Sequence, residues 1–432
     1  MSDFAETLTG QQRKRARIYA YVSGYFGCIS EVMLDSSAII IVYIGMLGGG
    51  STLEMLSTSL TGISCMLLLI PSAVLVKRIG MKKAAAVACL TGCVGYLLMA
   101  AAPFFTPYSR VAVMIGCLLY CLQRSLFGTV WYPMVDAFLL KEDRGSFFGT
   151  LRYSYMIVSG ILFYLLGKLM GKNPPLLLIQ LVLAVTGLLI LGRLFCMLRF
   201  PENTREEKSK LNFKYALGIS ICNSSLTSYA IYICLLSIAY SSLIPLTLIY
   251  LKQHVGLPAG PVQIFSTIGI AGSIIGYFCY GFLLKKWKLK GMELITHFIF
   301  ILTAFAMFLL PKDMPYFLWL AGTAYFLTSF GASTYLCNSS TEMLALAPPG
   351  NKPMTMAFQQ TYQYIGMAIG RTGTSLILGL NLLAPVWNIG SVSFSFYQTL
   401  FLLYGVIAAV CLLILPILPA IVTKHHDYYD MR

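Results

Sequence analysis

Two acidic residues, Glu31 and Asp35, lie four positions apart inside a long apolar stretch near the start of the chain. In a helix this spacing places both carboxylates on one face, about 6 Å apart along the axis. Arg124 lies at a depth similar to that of Glu31 in a later apolar stretch, so we expect these two residues to pair. A carboxylate that loses such a partner takes up a proton more readily, so the three residues could bind and release H⁺. The alternatives are an ion pair that only holds two helices in register, or a Na⁺ site between the two acids.

Two further arginines, Arg152 and Arg371, lie inside apolar stretches with no acidic residue at i±3 or i±4. A guanidinium binds carboxylates and phosphates bidentately, so both residues are candidates for contact with a solute. With Arg124 they outnumber the two deep acids, which favours an anionic or zwitterionic solute. The alternative is that Arg152 and Arg371 form ion pairs with Asp136, Glu342 or the acids of the first stretch. Arg193 lies near the end of its stretch, and we expect it to snorkel.

Uncharged polar and aromatic residues supply further candidates for contact with a solute. Amides and phenols suit a hydroxylated or zwitterionic solute, while tyrosines near the ends of apolar stretches often belong to an interfacial belt. The densest run is QQTYQY at 359–364, and the candidates are Tyr25, Gln123, Tyr155, Asn223, Tyr240, Gln360 and Tyr364. We expect Gly366 and Gly370 to permit close helix packing, and His254 and His297 to be incidental.

The whole composition shows which elements must position these residues. The 432 residues are 58% hydrophobic and 11% charged, with a mean hydropathy of +0.76. Soluble chains carry about 25% charged residues, so soluble enzymes and disordered proteins are excluded. Backbone in lipid must pair internally, which makes long apolar runs helices. The twelve predicted spans are 17–46, 53–76, 84–103, 110–139, 145–171, 174–198, 216–251, 260–284, 291–310, 315–345, 353–381 and 395–423.

The charge distribution predicts the orientation in the bilayer. The net charge of +15 is concentrated between the apolar spans, which indicates membrane topology and no nucleic-acid partner. Twenty-two lysines and arginines fall on one predicted side of the membrane and five on the other. We therefore place both termini on the cytoplasmic side and expect the membrane to be a bacterial inner membrane. All twelve cysteines lie inside predicted spans, where we expect packing and neither disulfides nor a metal site.

The second half of the chain repeats features of the first at an offset of about 206–208 residues. Asp136 corresponds to Glu342, and the stretch from Arg152 corresponds to that from Gln359. Six spans per half give both halves the same orientation, as in parallel repeats. We therefore predict two six-helix bundles, 1–198 and 216–432, joined by a polar cytoplasmic linker at 199–215.

The loop between the second and third predicted spans contains a recognisable motif. It reads Lys77-Arg78-Ile79-Gly80 followed by a basic pair, and the equivalent loop of the second half has Lys285 and Lys286. This stretch resembles the signature of the major facilitator superfamily, G-x-x-x-D-[RK]-x-G-[RK]-[RK], with Lys77 in place of the acid. In the family that acid helps to hold the two halves in the outward-open state.

The resemblance extends to the end of the fourth span and covers nearly the whole chain. Asp136 followed by Arg144 and Gly145 is similar to the family's carboxylate and Arg-Gly pair, and Glu342 is the matching residue of the second half. The resemblance implies a gating role for Lys77, Arg78, Gly80, Asp136, Arg144, Lys285 and Glu342. It also implies that a carboxylate of the first span and an arginine of the fourth act in proton coupling.

Together these features predict an all-α membrane protein with twelve transmembrane helices, acting as a secondary transporter by alternating access. No ATP-binding motif or catalytic set is visible, so an enzyme, a channel or a scaffold is disfavoured. We expect a small-molecule solute, coupling to H⁺ with Na⁺ as the alternative, no cofactor, and a monomer in the lipid bilayer. The alternative functions are a multidrug/proton antiporter and a sugar/proton symporter.

Overall fold

The computed structural model describes residues 4–35, 37–140, 144–201, 213–346, 352–390 and 392–417. Helices account for most of this part of the chain, because apolar runs that must satisfy every backbone hydrogen bond internally adopt helical structure. The helices of the first half are α1 Phe4–Thr7, α2 Gly10–Asp35, α3 Ile39–Met46, α4 Ser51–Ile79, α5 Met81–Ala101, α6 Ser109–Asp136, α7 Arg144–Met170 and α8 Leu176–Leu198.

The second half continues with helices and one small hairpin. Its helices are α9 Phe213–Cys222, α10 Ser224–Ile249, α11 Ala259–Leu309, α12 Phe317–Leu346, α13 Lys352–Gly379 and α14 Phe396–Ile414. A π-helical turn, Tyr250–His254, extends α10, and short 3₁₀ turns cover Ala102–Phe104 and Leu415–Ile417. Strands β1 Val386–Ile389 and β2 Val392–Ser395 pair antiparallel just before α14.

The described parts of the twelve predicted spans lie mainly on helices, with three differences in continuity, and residues 418–423 of the last span lie outside the described part. The first span is the pair α2 and α3, bent by 55° at the break between them. The seventh is divided at Asn223 into α9 and α10, and the eighth and ninth form the single helix α11, interrupted at Lys288 with φ 60°. Within the described ranges, eight helices meet the length and hydropathy expected of a span, and the bent pair can count as a ninth.

The chain forms two compact units, whose bounds are not those of the two sequence repeats. The first contains the described residues within 1–49, 64–162 and 174–210. The second contains those within 50–63, 163–173 and 211–432, so the beginning of α4 and the end of α7 join the second half. The bundle division at 198 and 216 remains a prediction, and residues 202–212 of the linker lie outside the described part.

Small residues bring helices into close contact within each unit. In the first unit, a Cβ atom at Gly95 of α5 would lie 2.7 Å from the Gly116 carbonyl oxygen of α6. In the second unit, Cβ atoms at Gly366 and Gly370 would lie 2.1 and 2.4 Å from the carbonyl oxygens of Cys234 and Ile238. The predicted close packing at Gly366 and Gly370 is therefore confirmed, with α13 seated directly on the α10 backbone.

Replacing Gly366 tests this contact. Gly366→Ala should separate α13 from α10, because the obstructing atom belongs to the backbone, and overpacking of this kind costs about 1–3 kcal/mol. The expected result is a lower melting temperature of the purified protein in detergent. Gly373→Ala in the same helix is the matched control, since no heavy atom lies within 4 Å of its added Cβ. Equal melting temperatures for both variants would contradict the close contact.

Candidate functional site

An ion pair between Asp35 and Arg124 lies where the first span breaks. Asp35 is the last residue of α2, and the chain then bends into α3. Arg124 of α6 donates a hydrogen bond from Nη1 to Asp35 Oδ2. A carboxylate at a helix C-terminus meets the negative end of the helix dipole, so the arginine offsets an unfavourable position. The side chains are 25% and 23% exposed, which leaves the pair accessible from one side.

Glu31 has a different partner, Arg193 of α8. Arg193 Nη1 donates to Glu31 Oε1 over 2.6 Å, and its side chain is only 5% exposed. The guanidinium carbon lies 3.5 Å from the centroid of the Phe127 ring, in cation–π geometry. The expectation that Arg193 snorkels is wrong, because α8 packs against α2 and directs this side chain to the interior of the first unit.

The position of Arg193 depends on a glycine of α2. A Cβ atom at Gly27 would lie 2.2 Å from the guanidinium carbon, so any larger residue would displace the arginine. Neighbouring hydrogen bonds fix the same face of α2. The Tyr96 hydroxyl donates to the Ser30 carbonyl over 2.6 Å, and the Tyr120 hydroxyl donates to Ser30 Oγ over 3.0 Å. The face that carries both acids is thus held by α5, α6 and α8.

The two ion pairs differ in how firmly they are held. Arg193 is enclosed by Glu31, Phe127 and Gly27, and removing Glu31 would leave a buried charge without its partner. The pair of Asp35 and Arg124 is about one quarter exposed and lies at a helix break. The two acids are similarly exposed, Glu31 at 31% and Asp35 at 25%, so the pairs differ mainly in their arginines, Arg193 at 5% and Arg124 at 23%.

Arg371 is engaged with the backbone of the second unit. Its Nε atom donates to the Ser241 carbonyl over 2.9 Å, and Nη1 donates to the Thr58 carbonyl over 2.7 Å. Arg371 is 4% exposed, so in this conformation it ties helices together and is closed to a solute. Arg152, on α7, is partly exposed and remains a candidate for contact with a solute.

Glu54 forms an ion pair that the sequence analysis missed. This residue is fully buried in the first turn of α4 and contacts Lys252 Nζ in the π-helical turn after α10. Gln253 Nε2 also donates to Glu54 Oε1, over 2.8 Å. Both charged residues lie at the ends of predicted spans, where loop positions and buried positions look alike in a sequence. The sequence feature that could have indicated burial of Glu54 is that this single acid is followed only by apolar and small residues.

Several predicted polar candidates have structural partners in this conformation. Asn223 caps α10, since its Oδ1 atom accepts a hydrogen bond from the Leu226 amide over 3.1 Å. Tyr240 is buried, accepts a hydrogen bond from Gln363 Nε2 over 2.8 Å, and stacks on Phe300. Gln123 is also buried. The half-buried candidates are Tyr25 and Tyr155 in the first unit, and Gln360 and Tyr364 in the second.

Four residues of the predicted gating set have described side-chain positions. Gly80 has φ +85° and starts α5, a backbone conformation that favours glycine. Arg78 and Lys285 are exposed, but they lie on the helices α4 and α11, so the prediction that both belong to loops is wrong. Glu342, in contrast, is 2% exposed and packs inside the second unit. The side chains of Lys77, Asp136 and Arg144 lie outside the described part, so the gating role of the whole set remains a prediction.

Comparison with known proteins places this geometry in a family. Residues 24–371 match the family model of the Major Facilitator Superfamily. The chain belongs to this superfamily. It is therefore a multi-pass membrane transporter and not an enzyme, as the resemblance in the loop motif implies.

Solved structures share the fold at low sequence identity. The nucleoside transporter NupG, in a mutant form, aligns with a TM-score of 0.72 at 12% identity, covering 93% of this chain and 98% of that chain. A POT family transporter in complex with 5-aminolevulinic acid gives 0.71 at 13%, covering 95% and 97%. A bacterial homologue of the iron transporter ferroportin, in an inward-facing state, gives 0.62 at 14%, covering 92% and 98%. No curated protein sequence matches the chain.

A double-mutant cycle tests the pair of Glu54 and Lys252. Glu54→Gln and Lys252→Met should each destabilise the protein by roughly 3 kcal/mol, because each leaves a buried charge without its partner. The double variant should lose less than the sum of the two, with a coupling energy of about 1–3 kcal/mol. Denaturant or thermal unfolding in detergent measures all four proteins.

The exposed residue Lys172 provides the control for this cycle. Lys172→Met should be nearly neutral alone and additive when combined with Glu54→Gln, since additivity holds for residues that share no contact. An additive double variant of Glu54 and Lys252 would show that the contact contributes nothing to stability.

Proposed function

We propose that this protein is a proton-coupled secondary transporter that moves a small zwitterionic solute by alternating access, with Asp35 as the proton-coupling residue. The observation that carries the proposal is the accessible ion pair of Asp35 and Arg124 at the break in the first span. Glu31, the other candidate, is paired with the nearly buried Arg193, so we expect that pair to separate less readily than the pair of Asp35 and Arg124. Helix breaks inside a membrane are typical of binding sites, because they leave backbone groups available to ligands and ions.

The pair suits a solute that carries both charges. When Asp35 and Arg124 separate, the ammonium group of a zwitterion can form an ion pair with Asp35. The carboxylate of the same molecule can form an ion pair with Arg124, so one solute replaces both lost contacts. The solved complex of a POT family transporter with 5-aminolevulinic acid, which is an amino acid, supports such a solute. Arg152, Tyr25 and Tyr155 are partly exposed and are proposed to contact the rest of the molecule.

The structure changes the charge argument on which the anionic alternative depended. Arg193 and Lys252 add two cations inside the described helices, and Glu54 and Glu293 add two acids. The excess of arginines inferred from the sequence is therefore not a reason to prefer an anion. Binding of a zwitterion requires no excess of positive or negative residues, so the charges in the described helices favour a zwitterionic solute.

Alternating access requires contacts that open and close. The contacts of Glu54 with Lys252, of Arg371 with Thr58, and of Gly62 with Ala368 all lie in the second unit. The first of them joins the start of α4 to the turn after α10, at helix ends that the charge distribution places outside. We infer that they close the outer side and must separate when the transporter opens outward. The two backbones approach closely at Gly62, where an added Cβ atom would lie 2.7 Å from the Ala368 nitrogen. Such close packing can exclude water without large side chains.

A thermal-shift panel tests the class of solute. The probes are 5-aminolevulinic acid, dialanine, uridine, glucose, succinate and tetraphenylphosphonium, each added to the purified protein. The zwitterions 5-aminolevulinic acid and dialanine should raise the melting temperature, because a ligand that binds only the folded state stabilises it by mass action. Asp35→Asn should abolish the shift. A shift with tetraphenylphosphonium alone would indicate a multidrug exporter, and one with glucose alone a sugar symporter.

Transport in proteoliposomes tests the coupling residue. With the zwitterion of largest thermal shift, an inward proton gradient should drive accumulation by the wild type. Asp35→Asn should lose this accumulation yet retain exchange between labelled and unlabelled solute, since the exchange moves no net proton. Glu31→Gln is the matched variant, and it should lower stability while the dependence on the gradient remains.

The same assay contains the result that would reject the assignment. Gradient-driven accumulation by Asp35→Asn, at a wild-type ratio of inside to outside solute, would remove Asp35 from the coupling step. Dependence on a Na⁺ gradient at constant pH would replace the proton with Na⁺.

A further inference from the structure

A cationic surface lies where α8 ends, on the side that the charge distribution predicts to be cytoplasmic. Arg199 directly follows Leu198, the last residue of α8, and is exposed. Its Nη1 atom donates a hydrogen bond to the Tyr19 hydroxyl of α2 over 2.9 Å. The guanidinium carbon lies 4.1 Å from the centroid of the Phe195 ring and 5.5 Å from that of the Tyr19 ring. The two aromatic rings thus hold an exposed guanidinium in one position, which lowers the entropy cost of binding an anion.

A second arginine lies one helical turn from Tyr19. Arg15 precedes Tyr19 by four residues on α2, so the two side chains lie on the same face of this helix. Arg15 is exposed and Tyr19 is half-buried. Arg199 donates to the oxygen of the Tyr19 hydroxyl, so the proton of this hydroxyl can still be donated to a ligand. Two guanidinium groups and one phenol therefore lie together beside the end of α8.

These two arginines are not neutralised by acids of the described ranges. Ion pairs between described residues involve the cations Arg124, Arg193 and Lys252, and none involves Arg15 or Arg199. Exposed cations of this kind attract anions from the surroundings. At the cytoplasmic leaflet of a membrane, the abundant anions are the phosphate groups of acidic lipids.

An apolar stripe on α8 leads from the interior of the predicted span to Arg199. Gly192 lies in this stripe without a side chain of its own, and Phe26 of α2 covers it, since a Cβ atom at Gly192 would lie 3.1 Å from the Phe26 ring. Phe26 follows Tyr19 by seven residues, so both belong to the same face of α2. The stripe ends four residues before Arg199, and its side chains, each more than half exposed, are Leu181, Val185, Leu188 and Phe195.

We propose that this surface binds an anionic phospholipid of the cytoplasmic leaflet. The phosphate group accepts bidentate hydrogen bonds from Nε and Nη2 of Arg199, which the bond to Tyr19 does not use, and a further one from the Tyr19 hydroxyl. Arg15 supplies a second positive charge, and an acyl chain lies along Phe195 and Leu188. The bound lipid joins α2 to α8, because each helix contributes one arginine.

The apolar stripe favours a lipid over a soluble phosphate. A free anion would use only the cations and the phenol, whereas a phospholipid also covers the exposed side chains that continue from them. Exposed apolar side chains alone would contact any lipid, but the paired arginines prefer a headgroup with net negative charge over a zwitterionic one.

Native mass spectrometry of the purified full chain tests this site without any transported solute, so its result is independent of the proposed transport function. With phosphatidylglycerol and phosphatidylcholine of identical acyl chains at equal concentration, the wild type should retain phosphatidylglycerol preferentially. Arg199→Gln and Arg15→Gln should each weaken binding of phosphatidylglycerol roughly fivefold and leave that of phosphatidylcholine unchanged. Lys83→Gln is the matched control, because Lys83 is an exposed cation at the start of α5 on the same predicted side, and it should bind like the wild type.

A milder variant and a competitor complete the test. Tyr19→Phe keeps the ring beneath Arg199 and removes only the hydroxyl, so it should weaken binding of phosphatidylglycerol as well. Equal losses in Arg199→Gln and Lys83→Gln, or equal retention of both lipids by the wild type, would overturn the proposal. Displacement of the lipid by inorganic phosphate at the same concentration would also overturn it, in favour of a soluble anion. The wild-type comparison and Arg15→Gln decide the matter even where Arg199→Gln fails to fold.

Discussion

The low dielectric constant of the bilayer is the constraint on which this structure depends. A charge inside an apolar bundle must have a partner on a neighbouring helix, because insertion without one costs several kcal/mol. Three deep carboxylates follow this requirement, each with a partner on a different helix or turn. Glu31 contacts an arginine of α8, Asp35 an arginine of α6, and Glu54 a lysine at the end of α10. The interior charges therefore determine which helices must stay together in a given conformation.

This requirement links stability with function, since a pair that never separates cannot take part in a transport cycle. Arg193 is enclosed by an aromatic ring and by a glycine whose replacement would displace it, so its pair with Glu31 acts as part of the scaffold. Arg124 is 23% exposed against 5% for Arg193, and its partner Asp35 lies where the backbone is already broken. In the proposed transport cycle, the pair of Glu31 and Arg193 fixes the face of α2 and so positions the pair of Asp35 and Arg124 on the same face.

Much of the fold follows from the sequence because hydropathy and helix length act locally. The spans require only residues near one another in the chain, and the small side chain of Gly366 indicates close packing before its partner is known. The break near Asp35 was not predicted, because the apolar run continues through it. Pairing is different, because it depends on the rotation of one helix against another. Depth alone suggested Arg124 for Glu31, whereas the rotation of α2 turns Glu31 toward Arg193 and leaves Arg124 to Asp35.

The residues that sequence reasoning missed share a physical reason. Glu54 and Glu293 lie within the first turn or so of a span, where a sequence gives no means of separating a solvated end from a buried one. Their burial arises from neighbouring helices that extend past them: the π-helical turn after α10 covers Glu54, and α10 and α12 cover Glu293. At an offset of 206 residues, the position in the first half that corresponds to Glu293 is Val87. The two halves therefore differ in the buried acids that they carry. They share helices at matching positions, whereas Glu54 and Glu293 lie at positions that the repeat does not share.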